Sequence, residues 1–205
     1  MDLLAATSNP HKLDELRAIF APLGVRVLGL SEIPGGPFPE PVEDGATFEA
    51  NARIKAVAYA AMTGRVCLAD DSGLEVDALG GAPGVHSAYY GGTAGGRSER
   101  DARNNARLLR ELDGVPAERR TARFVCCMCV ADPSGGVLAE SRGTYEGRIG
   151  TGPRGENGFG YDPLLILPDG RSSAELSEAE KNSMSHRGAA ARLIGPRVVS
   201  LLSGG

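Results

Sequence analysis

The sharpest chemical feature of this 205-residue chain is a pair of acids behind four apolar residues, Val66-Cys67-Leu68-Ala69 running into Asp70-Asp71-Ser72-Gly73. Adjacent carboxylates at the end of a buried strand repel one another unless a cation joins them. Together with Glu43 in an upstream loop they offer hard oxygens of the kind Mg²⁺ takes alongside phosphates and water. A second cluster, Thr7-Ser8-Asn9-Pro10-His11-Lys12, suits phosphate. Asn9 caps a helix and Pro10 takes its first position, so backbone N–H groups and the helix dipole face an anion while Lys12, one turn in, adds a full charge. The segment has no glycine and is not a Walker loop. A third cluster, Gly158-Phe159-Gly160-Tyr161-Asp162-Pro163, joins aromatic faces to permissive backbone, which suits stacking of a nucleobase. A fourth, Lys181 with Ser185-His186-Arg187-Gly188, presents donors for base carbonyls or phosphate. Each also has a plain structural reading: a capped helix with a snorkelling Lys, an Asp-Asp-Ser-Gly turn, a tight turn with two core aromatics.

Composition narrows the class. Only three of the 22 basic residues are lysines, Lys12, Lys55 and Lys181, so each is a candidate site for a compact point charge where a planar fork would not serve. His11 and His86 have no partner at metal spacing, and no Ser or Cys stands in a nucleophile context, so covalent triad chemistry is not expected. Cys126, Cys127 and Cys129 crowd into the apolar run Phe124 to Ala131 and read as reduced core residues, hence a cytoplasmic protein. That run is far short of the roughly 18 residues a membrane helix needs, and the start lacks the basic and apolar regions of a secretory signal. The net charge of −4 speaks against a nucleic-acid groove but leaves room for a small anionic ligand at a local patch.

These residues need a scaffold. The pattern predicts a strand over Leu3 to Ala6, a helix from Pro10, a strand over Val25 to Leu30, and an irregular loop from Ile33 to Glu43. Thr47 then caps a helix ending at Gly64, with Phe48, Ala52, Ala58, Ala61 and Met62 expected on its buried side. Gly80 to Gly96 reads as loops, followed by a helix with a capping box at Ser98 and Asp101. Thr121 to Ala131 and Val137 to Gly147 read as a hairpin, Tyr161 to Leu167 as a short strand, and Ser177 to Glu180 as a helix start. A last helix from near Ser185 is expected to break at Gly195-Pro196. The expected fold is α/β, a long twisted mixed sheet flanked by helices. Residues 1–205 are expected to form a single domain of two lobes around a central cleft.

Six segments in order, Thr7 to Lys12, Asp44 to Ala52, Ala69 to Val76, Gly80 to Val85, Gly158 to Pro163 and Ser185 to Gly188, resemble the inosine triphosphate pyrophosphatase (Ham1) family over about residues 3 to 194. The resemblance implies Mg²⁺-dependent hydrolysis of noncanonical purine nucleoside triphosphates (ITP, dITP, XTP) to the monophosphate and pyrophosphate, by a cytoplasmic homodimer. Carried over residue by residue, it makes Thr7, Ser8, Asn9, Pro10, His11 and Lys12 the triphosphate-binding segment and Asp71 the proton acceptor and a metal ligand, with Lys12 assisting catalysis. It makes Ser72 a substrate contact, Glu43 and Asp70 further candidate metal ligands, and Phe159, Gly160, Tyr161, Asp162, Lys181, His186 and Arg187 contacts to base and phosphate. Arg187 is a candidate donor to the 6-oxo group of hypoxanthine and xanthine. Ser8 stands where many members have Gly. The competing readings are a pyrophosphatase for other modified nucleotides and a nucleotide sensor without turnover, the latter disfavoured because Glu43, Asp70, Asp71 and Lys12 are all retained.

Overall fold

A computed structural model describes residues 1–204. In chain order the elements are β1 (Asp2–Ala5), α1 (Pro10–Phe20), β2 (Arg26–Gly29), α2 (Phe48–Thr63), β3 (Cys67–Val76), α3 (Arg97–Glu111), β4 (Thr121–Ala131), β5 (Val137–Ile149), β6 (Leu165–Ile166), α4 (Glu178–Met184) and α5 (His186–Ser203). One mixed sheet has the order β2-β1-β3-β4-β5-β6. β1 pairs in parallel with β2, Leu3 opposite Val27, and with β3, Ala5 opposite Leu68. β5 and β6 pair antiparallel, Arg148 opposite Ile166.

The chain divides into two compact units. The first holds Met1–Asp71, Cys126–Gly143 and the chain from His186 on, and the second holds Ser72–Val125 and Thr144–Ser185. β3, β4 and β5 each run from one unit into the other. In the first unit Leu3, Ala5, Leu16, Phe20, Leu68, Met128, Ala191 and Ile194 close a single core. Each of the larger side chains contributes about 1.5–3 kcal/mol on leaving water. In the second, Leu74, Val76, Leu108, Leu112, Phe124, Tyr145, Ile149 and Leu164 form the equivalent cluster.

Local signals set most boundaries. The Asn9 side chain accepts the His11 N–H at 3.1 Å, and Pro10 opens α1. Thr47 Oγ1 accepts the Ala50 N–H at 3.2 Å to start α2, and Gly64, left-handed at φ 65°, stops it. Ser177 caps α4 in a reciprocal arrangement with Glu180, as its spacing predicts.

Five expectations need correction. α3 starts at Arg97, and it is Glu99, not Asp101, whose carboxylate accepts an N–H at the helix start, from Gly96 at 2.9 Å. The buried face of α2 carries Phe48, Asn51, Ala52, Ala56, Tyr59 and Ala60, whereas Ala61 and Met62 are exposed. Small residues all round this helix give it little intrinsic facing, and two polar residues, Asn51 and Lys55, turn inward for reasons of the site. β3 does not end at the acids: Asp70 and Asp71 lie in the middle of a ten-residue strand. α5 runs through Pro196 to Ser203, because Ile194 and Val198 are buried on either side of it and hold the turn that the missing N–H weakens. The Tyr161 to Leu167 strand shrinks to Leu165–Ile166.

All four cysteines are free and buried. Burial pushes the thiols of Cys67, Cys127 and Cys129 up to about 12, so they are inert packing groups. No helix among the described residues is long and apolar enough to cross a membrane.

Candidate active site

In the first unit, β3 delivers Asp70 and Asp71 to different partners, because successive side chains on a strand point to opposite faces. Asp70 is almost wholly buried, and its Oδ2 meets Lys12 Nζ at 3.1 Å and the Arg187 guanidinium at 2.9 Å. Arg187 is itself completely buried, and its other arm bonds Glu15. Burial alone would raise the Asp70 carboxyl, but the charges of Lys12 and Arg187 overcome it and hold the group well below the usual carboxylate range. Its second oxygen, Oδ1, is buried with no hydrogen-bond partner among the described residues.

Asp71 faces α2. Its Oδ1 pairs with Lys55 Nζ at 3.0 Å and its Oδ2 accepts from Asn51 Nδ2 at 3.3 Å. Lys55 Nζ also meets Glu43 Oε2 at 2.6 Å, so one ammonium bridges the two carboxylates. Burial pulls the Lys55 ammonium down, and the charges of Asp71, Asp70 and Glu43 outweigh it, keeping the group charged. Asn51 ties the arrangement to the irregular loop: its Oδ1 accepts the Gly45 N–H at 2.8 Å. A Cβ on Gly45 would stand 2.6 Å from that oxygen, so only glycine fits there.

In the Thr7 to Lys12 segment, Thr7 Oγ1 accepts the Asn9 N–H at 3.1 Å, Asn9 is buried as the cap, and Ser8, Pro10 and His11 are exposed. Pro10 brings no N–H, and those of Asn9 and His11 are taken by Thr7 and Asn9, so what this turn offers an anion is the Lys12 ammonium and the positive end of the helix dipole.

In the second unit, Asp162 organises the glycine-aromatic turn. Its Oδ2 accepts from the Phe159 N–H at 2.8 Å and from Lys181 Nζ at 2.7 Å, while Ser173 Oγ donates to its Oδ1 at 2.8 Å. Lys181 Nζ stands 4.9 Å from the centre of the Phe159 ring, a cation held over an aromatic face. Gly158 and Gly160 are left-handed, at φ 77° and 63°, and a Cβ on Gly158 would collide with Asp162. Tyr161 is buried, with its hydroxyl donating to Ser87 O at 2.8 Å. Ser72 is half-buried on β3, and Ser185 and His186 are buried.

The first unit thus gathers Lys12, Asp70 and Arg187 in one network and Glu43 with Asp71 in another, and the second gathers Phe159 to Asp162 with Lys181. Two sequence expectations meet a different geometry. Arg187 has no exposed surface to face a base and spends its arms on Asp70 and Glu15. Asp70 is turned to two cations, and no three His, Cys, Asp or Glu side chains among the described residues converge to hold a metal ion. A divalent ion nevertheless fits Glu43 and Asp71: Mg²⁺ commonly takes one or two carboxylates and completes its shell with phosphate and water. Asn51 and Glu15 escape sequence reasoning, and Lys55 enters it only as a retained lysine with no role given to it. A signal for its role exists, since Lys55 falls on the helical face of Phe48, Ala52 and Tyr59.

Comparison with known proteins gives independent findings. The family described as the Ham1 family matches residues 3–196. The chain is similar to the dITP/XTP pyrophosphatase of an Exiguobacterium species, 50% identical over 205 residues with 100% of both chains covered. It is 54% identical over 194 residues to the protein of that name from Nitratidesulfovibrio vulgaris, covering 93% of this chain and 92% of the relative. Among solved structures, a HAM1 protein from Coxiella burnetii aligns with a TM-score of 0.84 at 35% identity, covering 100% of both chains. A nucleoside-triphosphatase / dITP/XTP pyrophosphatase from Mycobacterium abscessus aligns at 0.74 and 42% identity, over 97% of this chain and 100% of that one.

Proposed function

The chain belongs to the Ham1 family, and we propose on that premise that it hydrolyses noncanonical purine nucleoside triphosphates, ITP, dITP and XTP, to the monophosphate and pyrophosphate. One observation carries the reading: each lysine of an otherwise arginine-based chain is paired with an aspartate of the clusters that resemble the family's motifs, at 3.1, 3.0 and 2.7 Å. Ammonium groups parked on carboxylates are charges a polyphosphate can recruit without having to gather them from solvent.

The residues then divide the work. Lys12 and the positive end of the α1 dipole attract phosphate oxygens and stabilise the charge that builds on the departing pyrophosphate. Asp71, fixed by Lys55 and Asn51, orients the attacking water and accepts its proton. Asp70 is the counter-charge that holds Lys12 and Arg187 in place. Glu43 and Asp71 would hold Mg²⁺, which when bound offsets phosphate charge and polarises the scissile phosphate. The four carboxylates of these networks outnumber the three cations by one, which favours a divalent ion arriving with the anionic substrate. The Phe159 ring offers a stacking face for the purine, and Lys181 beside it a donor for a 6-oxo group. An adenine amino group there would meet a donor in place of an acceptor, and a buried unmade hydrogen bond costs about 1–3 kcal/mol. We place the enzyme in the cytoplasm, where nucleotide triphosphates and reduced thiols coexist, and read it as a homodimer from the family resemblance.

The decisive experiment is steady-state hydrolysis of ITP, dITP, XTP, the common nucleotides and modified pyrimidine triphosphates with Mg²⁺, scoring pyrophosphate apart from orthophosphate. Turnover concentrated on the first three with pyrophosphate as product is the expected result. Orthophosphate release, or a preference for a common or pyrimidine nucleotide, overturns the substrate assignment. Tight binding without any turnover would mark a sensor instead.

A further inference from the structure

The turn from Phe159 to Asp162 is braced from outside by α3, which lies outside the six family-like segments. On α3, Asp101 and Asn105 lie one turn apart on the same face. Asp101 Oδ2 accepts the Gly160 N–H at 3.0 Å, and Asn105 Nδ2 donates to the Gly160 carbonyl at 3.0 Å. One residue therefore has both of its backbone polar groups claimed by two side chains of a single helix. Gly160 is left-handed at φ 63° and stands between the two aromatic residues of the turn, so its conformation sets the direction in which the chain presents Phe159.

The Asn105 bond is directional. Its Oδ1 is buried without a hydrogen-bond partner among the described residues, so the amide accepts a local cost to keep its nitrogen on Gly160. Turning the amide over would set oxygen against the Gly160 carbonyl. The rest of the turn is pinned as well: Phe159 N–H and Lys181 on Asp162, Tyr161 hydroxyl on Ser87. Phe159 itself stays half-exposed.

We infer that Asp101 and Asn105 are positioning residues for base recognition: they clamp Gly160 so that the Phe159 ring is pre-set as a flat stacking face for a purine, and they act on affinity for the base, not on the chemical step. The inference rests on the reading that this turn receives the base. It predicts a split that a purely structural role would not produce, because the phosphate-handling groups belong to other elements.

The test is kinetics on ITP of Asn105→Asp, Asn105→Ala, Asp101→Ala and Asp101→Asn, with inorganic tripolyphosphate as a base-free competitive inhibitor. Asn105→Asp keeps the shape but puts a carboxylate oxygen against a carbonyl, and Asp101→Ala removes an acceptor. Each should raise KM about tenfold, the size of one lost hydrogen bond. kcat and tripolyphosphate inhibition stay within about threefold of the wild type, by the logic of binding lost equally from ground and transition states. Asn105→Ala should fall between Asn105→Asp and wild type, and Asp101→Asn, whose amide oxygen can still accept from Gly160, should restore KM. Unchanged KM in Asn105→Asp, or kcat and tripolyphosphate inhibition weakening in step with KM, overturns the inference. Amide hydrogen exchange of residues 158–162 reads the clamp without activity: faster exchange in Asp101→Ala supports it and unchanged exchange sinks it. A wild-type chain inert on ITP would defeat the parent reading alone, since the exchange measurement still decides the clamp.

Discussion

Lys12 ends on Asp70, Lys55 on Asp71 and Lys181 on Asp162, and the first two of these aspartates are neighbours in different surroundings. Asp70 is sealed between Lys12 and Arg187, whereas Asp71 keeps a side-chain exposure of 13% and lighter partners. Asp71→Asn should therefore leave the melting temperature near that of wild type while kcat falls by about 10²- to 10⁴-fold, the worth of a positioned general base. Near-normal kcat would remove Asp71 from that role. Asp70→Asn should behave in the reverse sense, because it leaves buried Arg187 and half-buried Lys12 against a neutral amide, costing about 3–5 kcal/mol near pH 7. The sign with pH follows from the depressed carboxyl. Ionised Asp70 stabilises the fold fully above its unfolded pKa of about 3.9, and that contribution is lost as pH falls below it toward the folded value. Urea denaturation of the two proteins from pH 7 to pH 3 should show the stability gap narrowing below about pH 4. A gap independent of pH would mean that Asp70 is not ionised in the folded chain.

At the scale of elements, α5 is the clearest case of packing overriding local preference. Pro196 lies in the helix interior, is exposed, and sits between buried Ile194 and Val198. Proline lacks the N–H for the turn below and is about 3 kcal/mol worse than alanine in a helix, an effect partly offset by the freedom it removes from the unfolded chain. Pro196→Ala should thus stabilise the protein by about 1–2 kcal/mol, with a rise of roughly 2–4 °C in Tm per kcal/mol. An unchanged or lowered Tm in calorimetry would show that the helix is already relieved of the strain. α2 teaches the complementary point. Its inward face includes Asn51 and Lys55 because Asp71 waits there, so the phase of the helix follows the site and not a hydrophobic stripe.

At the scale of the molecule, β3, β4 and β5 each contribute residues to both compact units. The probes are conveniently divided. Cys67, Cys126, Cys127 and Cys129 all lie in the first unit, whereas four of the five tyrosines, Tyr89, Tyr90, Tyr145 and Tyr161, lie in the second, and in a Tyr59→Phe background all the tyrosine signal comes from there. Thiol labelling and tyrosine near-ultraviolet circular dichroism should report the same urea midpoint, as a single cooperative transition requires. Midpoints that separate would show that the units unfold independently despite the shared strands.

The sequence by itself determined the order of elements, the caps at Asn9, Thr47 and Ser177, the stop at Gly64, the mixed α/β class and the family motifs. Those features depend on hydrogen bonds and dihedral preferences that reach only three or four residues along the chain, so they are written locally. Tertiary structure alone decided that Asp70 takes Lys12 and Arg187, the latter 117 positions away, and that Asp71 takes Lys55. It also decided that β3 passes straight through the acids, that α5 survives Pro196, and that Asp101 and Asn105 hold Gly160. Electrostatic pairing and burial depend on where distant segments meet in space, and residue type shows only which charges are available, not which of them the path of the chain brings together.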